Sequence, residues 1–308
     1  VTLDQLRVFV AVAERLHVTR AAAALNITQS AASATIQALE ARLGVALFDR
    51  VGRGIILTEA GQTLLTEARA VLARAAAAEQ TLLDLGGLMR GHLSLWASQT
   101  VGGYWLPSYL QRFRAAHPEV SLAVAIGNTT QVAHAVGEGT ADLGVVEGDV
   151  DDPLLVRIPV GLDEMVLVVA PGHEWAGLDT APDDLSASDW VLREPGSGTR
   201  QIFAQAAADQ AVDPVSIRVA LELPSNEAVR AAVVAGAGAT VLSRLVVAAD
   251  LAAGRLVEVP LALPARQFTA LRHGDRHRSR AAAALLEMMR GSTERADQHQ
   301  AEPGDEQP

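Results

Sequence analysis

Apolar residues recur at helical spacing from the start of the chain. Leu6, Phe9, Val10 and Ala13 share a face and predict a first helix. Thr19 offers an N-cap for a short alanine-dense helix that stops near Asn26, a residue suited to a turn. Thr28 offers the next cap, and residues 29–42 carry a helical pattern with two faces. Ala32, Ile36, Leu39 and Leu43 form a core stripe, whereas Gln29, Ser30, Ser33, Ala34 and Gln37 form an uncharged face of small or amide-bearing side chains. A glycine-flanked turn, Arg50-Val-Gly-Arg53-Gly, then leads into the apolar strand Ile55–Leu57. From Thr58 to about Leu85, the residues Leu64, Ala68, Val71, Ala75, Ala78, Leu82 and Leu85 alternate spacings of four and three, a heptad stripe on one long helix. Gly86-Gly87, followed by Gly91, marks its end.

Beyond residue 90 the pattern alternates strands with helices. Strands are expected at His92–Ala97, Val120–Ile126, Asp142–Glu147, Glu164–Ala170, Trp190–Arg193, Ile217–Leu223, Ala239–Ser243 and Gln267–Arg272. Helices are expected near 104–116, 129–138, 199–210, 226–236 and 279–290. Such alternation predicts parallel crossover units and two α/β lobes enclosing a cleft, as in periplasmic-type binding proteins. Residues 293–308 are polar and read as a disordered tail.

Three short helices followed by a two-arginine turn point to duplex DNA. On residues 29–42, glutamine pairs bidentately with adenine, serine donates or accepts, and alanine meets a thymine methyl. The helices alone leave open a three-helix core whose polar face meets only water. The wing decides between them: Arg50 and Arg53, with Arg20 nearby, suit phosphates or a narrow minor groove. Thr28 to Ser33 would then open the recognition helix. The attached heptad helix makes Leu64, Ala68, Val71, Ala75 and Leu82 candidates for pairing two heads.

In the second half, loops at the carboxyl ends of strands are where ligands sit in such sheets. Those loops carry Ser98, Gln99, Thr100, Asn128, Thr129, Glu147, Ser197, Thr199, Arg200 and Ser225. Several precede helices, whose amino-termini direct N–H groups toward one small anion. Singly, each is an ordinary N-cap or turn. Arg200 adds charge to the set or pairs with an acid on its own helix.

Phe9, Ala11-Val-Ala-Glu14, Ala21-Ala22, Leu25, Gln29, Ala31, Ser33, Ile36, Leu39-Glu40, Leu43-Gly-Val45, Leu47-Phe48, Arg50 and Leu57-Thr-Glu-Ala-Gly61 together resemble the N-terminal domain of LysR-type transcriptional regulators. One departure is Ala34, where many members carry a basic residue. The resemblance implies a winged helix-turn-helix head over 1–58, a linker helix over 59–88, and an effector-binding domain over 89–292. Lobe I would comprise 89–161 and 266–292, and lobe II 162–265. It also implies a dimer of dimers, a small-molecule co-inducer and contact with RNA polymerase; the heptad itself supports only the dimer. Ile126-Gly-Asn-Thr129, Asp142-Leu-Gly-Val-Val-Glu-Gly148, Leu192-Arg-Glu-Pro-Gly-Ser-Gly-Thr199 and Leu242-Ser-Arg244 look like the sulfur-assimilation (CysL-like) branch. Carbon-fixation-operon regulators share much of this.

The net charge of −11 over 308 residues argues superficially against DNA. Residues 1–90, however, hold nine Arg against eight acids, and the remainder sixteen against twenty-eight, so the acidity lies outside the head. A near-neutral head needs pairing to bind well. Cysteine is absent, which removes disulfides and a thiol nucleophile and disfavours structural zinc. No apolar run spans a membrane and no secretion signal opens the sequence, so a cytoplasmic location is expected. The eight histidines form no His-Glu-x-x-His pair, Gly-Ser-Gly-Thr lacks the P-loop lysine, and no nucleophile, base and orienter assemble. No metal, cofactor or catalytic site is expected. Two other classes compete. A transport-type binding protein leaves the first 90 residues idle, and an α/β enzyme lacks a constellation. The reading is a LysR-type regulator controlled by a small anionic metabolite.

Overall fold

The computed structural model describes residues 1–52, 54–85, 91–213, 216–276 and 278–300. The chain forms two compact units, Val1–Leu82 and a second that starts at Leu83.

In the first unit, α1 (Leu3–Arg15) opens with a reciprocal capping box between Thr2 and Gln5. Leu16 turns left-handed (φ 46°) and His17 caps α2 (Val18–Ala24), its ring accepting from Arg20 N–H. The cap expected at Thr19 therefore falls two residues earlier, because Leu16 ends α1 abruptly enough for the chain to re-enter a helix at once. Asn26 makes the expected turn (φ 54°). Thr28 caps α3 (Gln29–Leu43) by accepting from Ala31 N–H at 3.2 Å. Ala32, Ile36 and Leu39 are buried, but Leu43 lies past the core edge and is exposed.

The wing is an antiparallel hairpin of β1 (Phe48–Val51) and β2 (Gly54–Leu57), with Arg50 opposite Ile55. The Glu40 carboxylate accepts from Leu47 N–H at 2.8 Å and Phe48 N–H at 3.3 Å, fixing the wing to α3. Thr58 donates to Ala46 O and accepts from Gly61 N–H as α4 (Glu59–Leu85) begins. Leu64 and Ala68 pack into the head core beside Phe9 and Leu39, so these two heptad positions serve their own domain. Val71 and Leu82 remain exposed. Gly86 and Gly87 lie outside the described residues, and Gly91 begins a strand instead of ending the helix.

The second unit starts with β3 (Gly91–Ser98), a π turn at Val101–Trp105, α5 (Pro107–Ala116), β4 (Val120–Gly127), α6 (Thr129–Glu138), β5 (Leu143–Glu147) and β6 (Leu155–Asp163). Lobe II follows with β7 (Met165–Val169), β8 (Asp189–Arg193), α7 (Gly198–Asp209), β9 (Arg218–Leu223), α8 (Asn226–Val234), β10 (Thr240–Ser243), α9 (Arg244–Ala252) and β11 (Val257–Val259). The chain returns through β12 (Arg266–His273) and α10 (Arg280–Gln300). Lobe I is a five-stranded sheet ordered β4-β3-β5-β12-β6, with a core of Leu93, Leu95, Phe113 and Phe268 on one face and Val132, Val136 and Leu271 on the other. Lobe II holds an antiparallel β10-β7-β11 sheet and a parallel β8-β9 pair.

Lobe I is thus a mixed sheet and lobe II combines an antiparallel sheet with a parallel pair, not the purely parallel sheets the alternation predicts. The cause in lobe I is β12, which runs antiparallel to β5 and β6. Three elements lie outside the expected set. β6 contains Arg157, Pro159 and Gly161, tolerable because it is an edge strand with its own bulge at Val160. β11 is three residues long, and α9 is a nine-residue helix that carries two adjacent β-branched residues, Val246 and Val247. The helix expected at 104 starts at Pro107, after the π turn. Helix α10 continues to Gln300, so the tail expected from 293 is helical that far, and 301–308 lie outside the described residues.

A Cβ on Gly61 would overlap the Leu47 carbonyl. Gly61→Ala is therefore expected to cost about 3 kcal/mol or less as an overpacking defect. A urea melt followed by circular dichroism, with a midpoint equal to wild type, would contradict this.

Candidate functional site

The exposed face of α3 is the one expected. Gln29, Ser30, Ala34 and Gln37 are exposed and Ser33 is half-buried, each held by a helix whose opposite stripe is in the core. Gln29 and Arg50 line one concavity of 410 Å³ with His17, Thr19 and Gly52, so recognition helix and wing share a surface. Arg20 is exposed on α2. Thr28 is less free than expected, since its hydroxyl caps Ala31 and meets Ser30 Oγ at 3.0 Å. Arg53 lies outside the described residues. His17 and Thr19 join this surface without having been expected there, and the signal available was only their place before an alanine-dense helix.

The second site forms where strands of both lobes end. Ser98, at the end of β3, donates to the Glu147 carboxylate, and Thr129 donates to the Glu147 carbonyl at 2.6 Å. Gly198, the first residue of α7, presses on the same carbonyl so closely that a Cβ would overlap it. Thr199 accepts from Arg266 at 3.2 Å. Ser98, Thr129, Glu147, Ser197 and Thr199 are thereby brought together, all buried. Thr100 accepts from Asn226 Nδ2 at 3.0 Å. Asn128 caps α6 by accepting from Gln131 N–H and donates to Glu194 at 3.3 Å.

Three expected residues are spent otherwise. Ser225 is the N-cap of α8, accepting from Ala228 N–H at 3.1 Å. Arg200 pairs with Glu222 on β9, not with an acid on its own helix, and donates to Arg193 O at 2.8 Å. Gln99 bonds the backbone of Pro224 and Asn226.

Residues outside the expected set complete the site. Arg266 is buried on β12; its Nε donates to Asp163 at 2.9 Å and its Nη2 reaches the same carboxylate. Arg193 is buried at the end of β8, clamped on Glu194 by two bonds of 2.8 Å and donating to Asn226. Burial pushes Glu194 up, but Arg193 and Asn128 outweigh it and hold the carboxyl below its ordinary value. The signal for both arginines was a charge set at the end of an otherwise buried strand. The Arg266 guanidinium stands 3.9 Å from Glu147, too far to offset its burial, which pushes that carboxyl above the ordinary range.

Amino-terminal donors differ in their occupation. Helices α6 and α8 are capped by Asn128 and Ser225. Ser197, buried at the start of α7, makes no capping bond. Among the described residues no three His, Asp or Glu gather to hold a metal, and no helix is long and apolar enough to cross a membrane.

Residues 3–62 match the family model described as bacterial regulatory helix-turn-helix protein, lysR family, and residues 86–294 match that described as LysR substrate binding domain. Over 289 residues the chain is 35% identical to a protein of Escherichia coli (strain K12) named "Uncharacterized HTH-type transcriptional regulator YeiE", covering 93% of this chain and 96% of that one. It is 34% identical over 290 residues to a "Probable RuBisCO transcriptional regulator" of Nostoc sp., covering 92% and 86%. Among solved structures, the Synechocystis PCC6803 CcmR regulatory domain in complex with 2-PG is 26% identical with a TM-score of 0.61, covering 66% of this chain and 98% of that one.

A raised carboxyl in the native state holds its proton more tightly folded than unfolded. That contribution to stability is complete below the unfolded value, about pH 4, and is lost as pH rises through the native one. Glu147→Gln keeps a neutral group there, so its melting temperature is expected to fall less than wild type as pH rises above the ordinary carboxylate range. Parallel melting profiles for the two proteins would show that Glu147 does not titrate as a buried acid.

Proposed function

The chain belongs to the LysR family of DNA-binding transcriptional regulators with an effector-binding domain, and from that premise we propose that its effector is a small oxyanion held at the amino-terminus of α7. The observation that carries this reading is Ser197, a buried N-cap position whose side chain leaves the α7 N–H groups uncapped. Around it stand the buried hydroxyls of Ser98, Thr100, Thr129 and Thr199, which bond Glu147, Asn226 and Arg266 here and can rotate toward a tetrahedral anion. The arginines nearby already hold Asp163, Glu194 and Glu222, so backbone and hydroxyl donors are left to bind the ligand. In this reading the domain binds and does no catalysis.

The relatives favour one arm of the pathway question. The Nostoc regulator is named for RuBisCO, which supports the carbon-fixation alternative over the sulfur-assimilation reading, and the CcmR domain shows a similar fold holding the small anion 2-PG. In either arm the regulator acts in the cytoplasm as a homodimer paired through Val71, Ala75 and Leu82 of α4, and dimers associate further. Effector binding changes subunit packing and the spacing of paired heads, and so the contact with RNA polymerase. The ligand's differential affinity for the two arrangements supplies the energy.

Two measurements test the proposal. DNA captured from the protein's own genome, titrated with salt in a gel shift, is expected to bind with steeply falling affinity. Arg50→Ala should lower the log–log slope by about 0.9, as for one lost phosphate contact, and Arg53→Ala likewise. An unchanged slope in both variants removes the wing from the contact set. In thermal shift, 2-PG, sulfate, thiosulfate and O-acetylserine are compared. One is expected to stabilise by about 2.7 kcal/mol at a hundredfold excess over its Kd, and Thr129→Ala to abolish most of the gain. Stabilisation that survives in both Thr100→Ala and Thr129→Ala would place the site elsewhere.

A further inference from the structure

The loop after β3 spends its polar groups across the cleft. Gln99 donates through Nε2 to the Pro224 carbonyl at 2.7 Å and accepts through Oε1 from Asn226 N–H at 2.9 Å. The two bonds use both ends of the amide, as a peptide group does in a sheet. They tie lobe I to the carbonyl just before α8 and to the first N–H within it. Around this junction, Asn226 Nδ2 donates to Thr100 at 3.0 Å and Tyr104 donates to Glu227 at 3.2 Å. All these contacts leave lobe I from Gln99–Tyr104, a stretch that runs into the π turn at Val101–Trp105.

These contacts are unequal. Tyr104 and Glu227 are exposed, and water replaces their bond readily. Asn226 is fully buried, so losing Gln99 deprives its N–H of its side-chain acceptor in a place water reaches poorly. Asn226 in turn accepts from Arg193, whose Glu194 receives Asn128 from the opposite wall. The Gln99 amide therefore stands at the head of a chain of bonds that runs around the cleft and returns to lobe I.

We propose that Gln99 is a positioning residue that docks the amino-terminus of α8 on lobe I, fixing the width of the cleft and restricting it to small anions. The inference rests on the cleft being the effector site. Gln99 does not touch the ligand; it holds Asn226 and Thr100 at the spacing the ligand meets. Its loss weakens binding by letting α8 move, with the hydroxyls at α7 intact.

The test is hydrogen exchange on the full chain, first without ligand. In Gln99→Ala the amides of residues 225–228 are expected to exchange about tenfold faster, with β3, β5 and β12 unchanged. Gln99→Glu has nearly the same shape but sets a carboxylate oxygen against the Pro224 carbonyl. A packing role predicts wild-type protection in that variant; the positioning role predicts the alanine result. Unchanged exchange in Gln99→Ala overturns the proposal. The same samples are then titrated with sulfate and with 2-PG. Weaker binding together with faster unliganded exchange is the expected pair of results. Weaker binding with unliganded exchange at wild-type level would make Gln99 a direct ligand contact and overturn it. If neither anion changes exchange in wild type, the effector reading fails while the docking measurement still reports on Gln99.

Discussion

Arg266 and Asp163 form the contact on which the second unit depends. They are register partners at the ends of β12 and β6, where the chain leaves lobe I and where it comes back. Both are buried, and Ser243 donates to the other oxygen of Asp163 at 2.7 Å. Removing one partner of such a pair costs about 3–5 kcal/mol, because the other charge is left buried and alone. The pair therefore fixes the neck between the lobes, and its remaining guanidinium nitrogen reaches Thr199 at the start of α7. Cleft geometry follows from the neck: the loops that line it are as well placed as Arg266 is.

That arrangement decides what kind of charge the cleft presents. Each arginine near it is already paired, Arg266 with Asp163, Arg193 with Glu194 and Arg200 with Glu222. The chain as a whole carries −11, which repels an anion at long range. At physiological salt that repulsion is screened beyond about 8 Å. Within that distance, in the proposed effector site, a bound group would meet the α7 turn and the surrounding hydroxyls. In that proposal, selectivity would come from the geometry of short donors, which favours small, symmetric oxyanions over large ligands that need a free guanidinium.

The legible parts of the sequence were those where one local signal sufficed. Thr28 caps α3 because a hydroxyl before an apolar-periodic run has few other uses, and Ser98, Thr129 and Thr199 meet because each ends a strand or opens a helix on the same side of a sheet. What escaped depends on neighbours distant in sequence. Arg266 and Asp163 are 103 positions apart, and nothing beside either residue says which partner it finds. Strand β6 was hidden by Pro159 and Arg157, which an edge position tolerates and a central one does not. Gln99 and Ser225 were expected to meet an effector; in the structure Gln99 bonds another loop's backbone and Ser225 caps α8, uses that leave no local trace in the sequence.

Helix α4 shows how one element can couple two tasks. Its first turns belong to the head: Gly61 lies against Leu47, Leu64 and Ala68 fill the core, and Arg69 bonds Glu14 on α1 at 2.9 Å. Farther along, Val71 and Leu82 face outward. A stiff helix whose beginning is fused to a DNA-binding core cannot rotate without carrying that core with it. In the proposed pairing, a change in how two such stripes meet is therefore a change in how far apart two recognition helices stand. Because half-site spacing on DNA is fixed by the helical repeat, small rotations of α4 are enough to alter the match. The heptad positions consumed by the head are what make this coupling rigid: a stripe devoted wholly to the partner would leave the head free to turn.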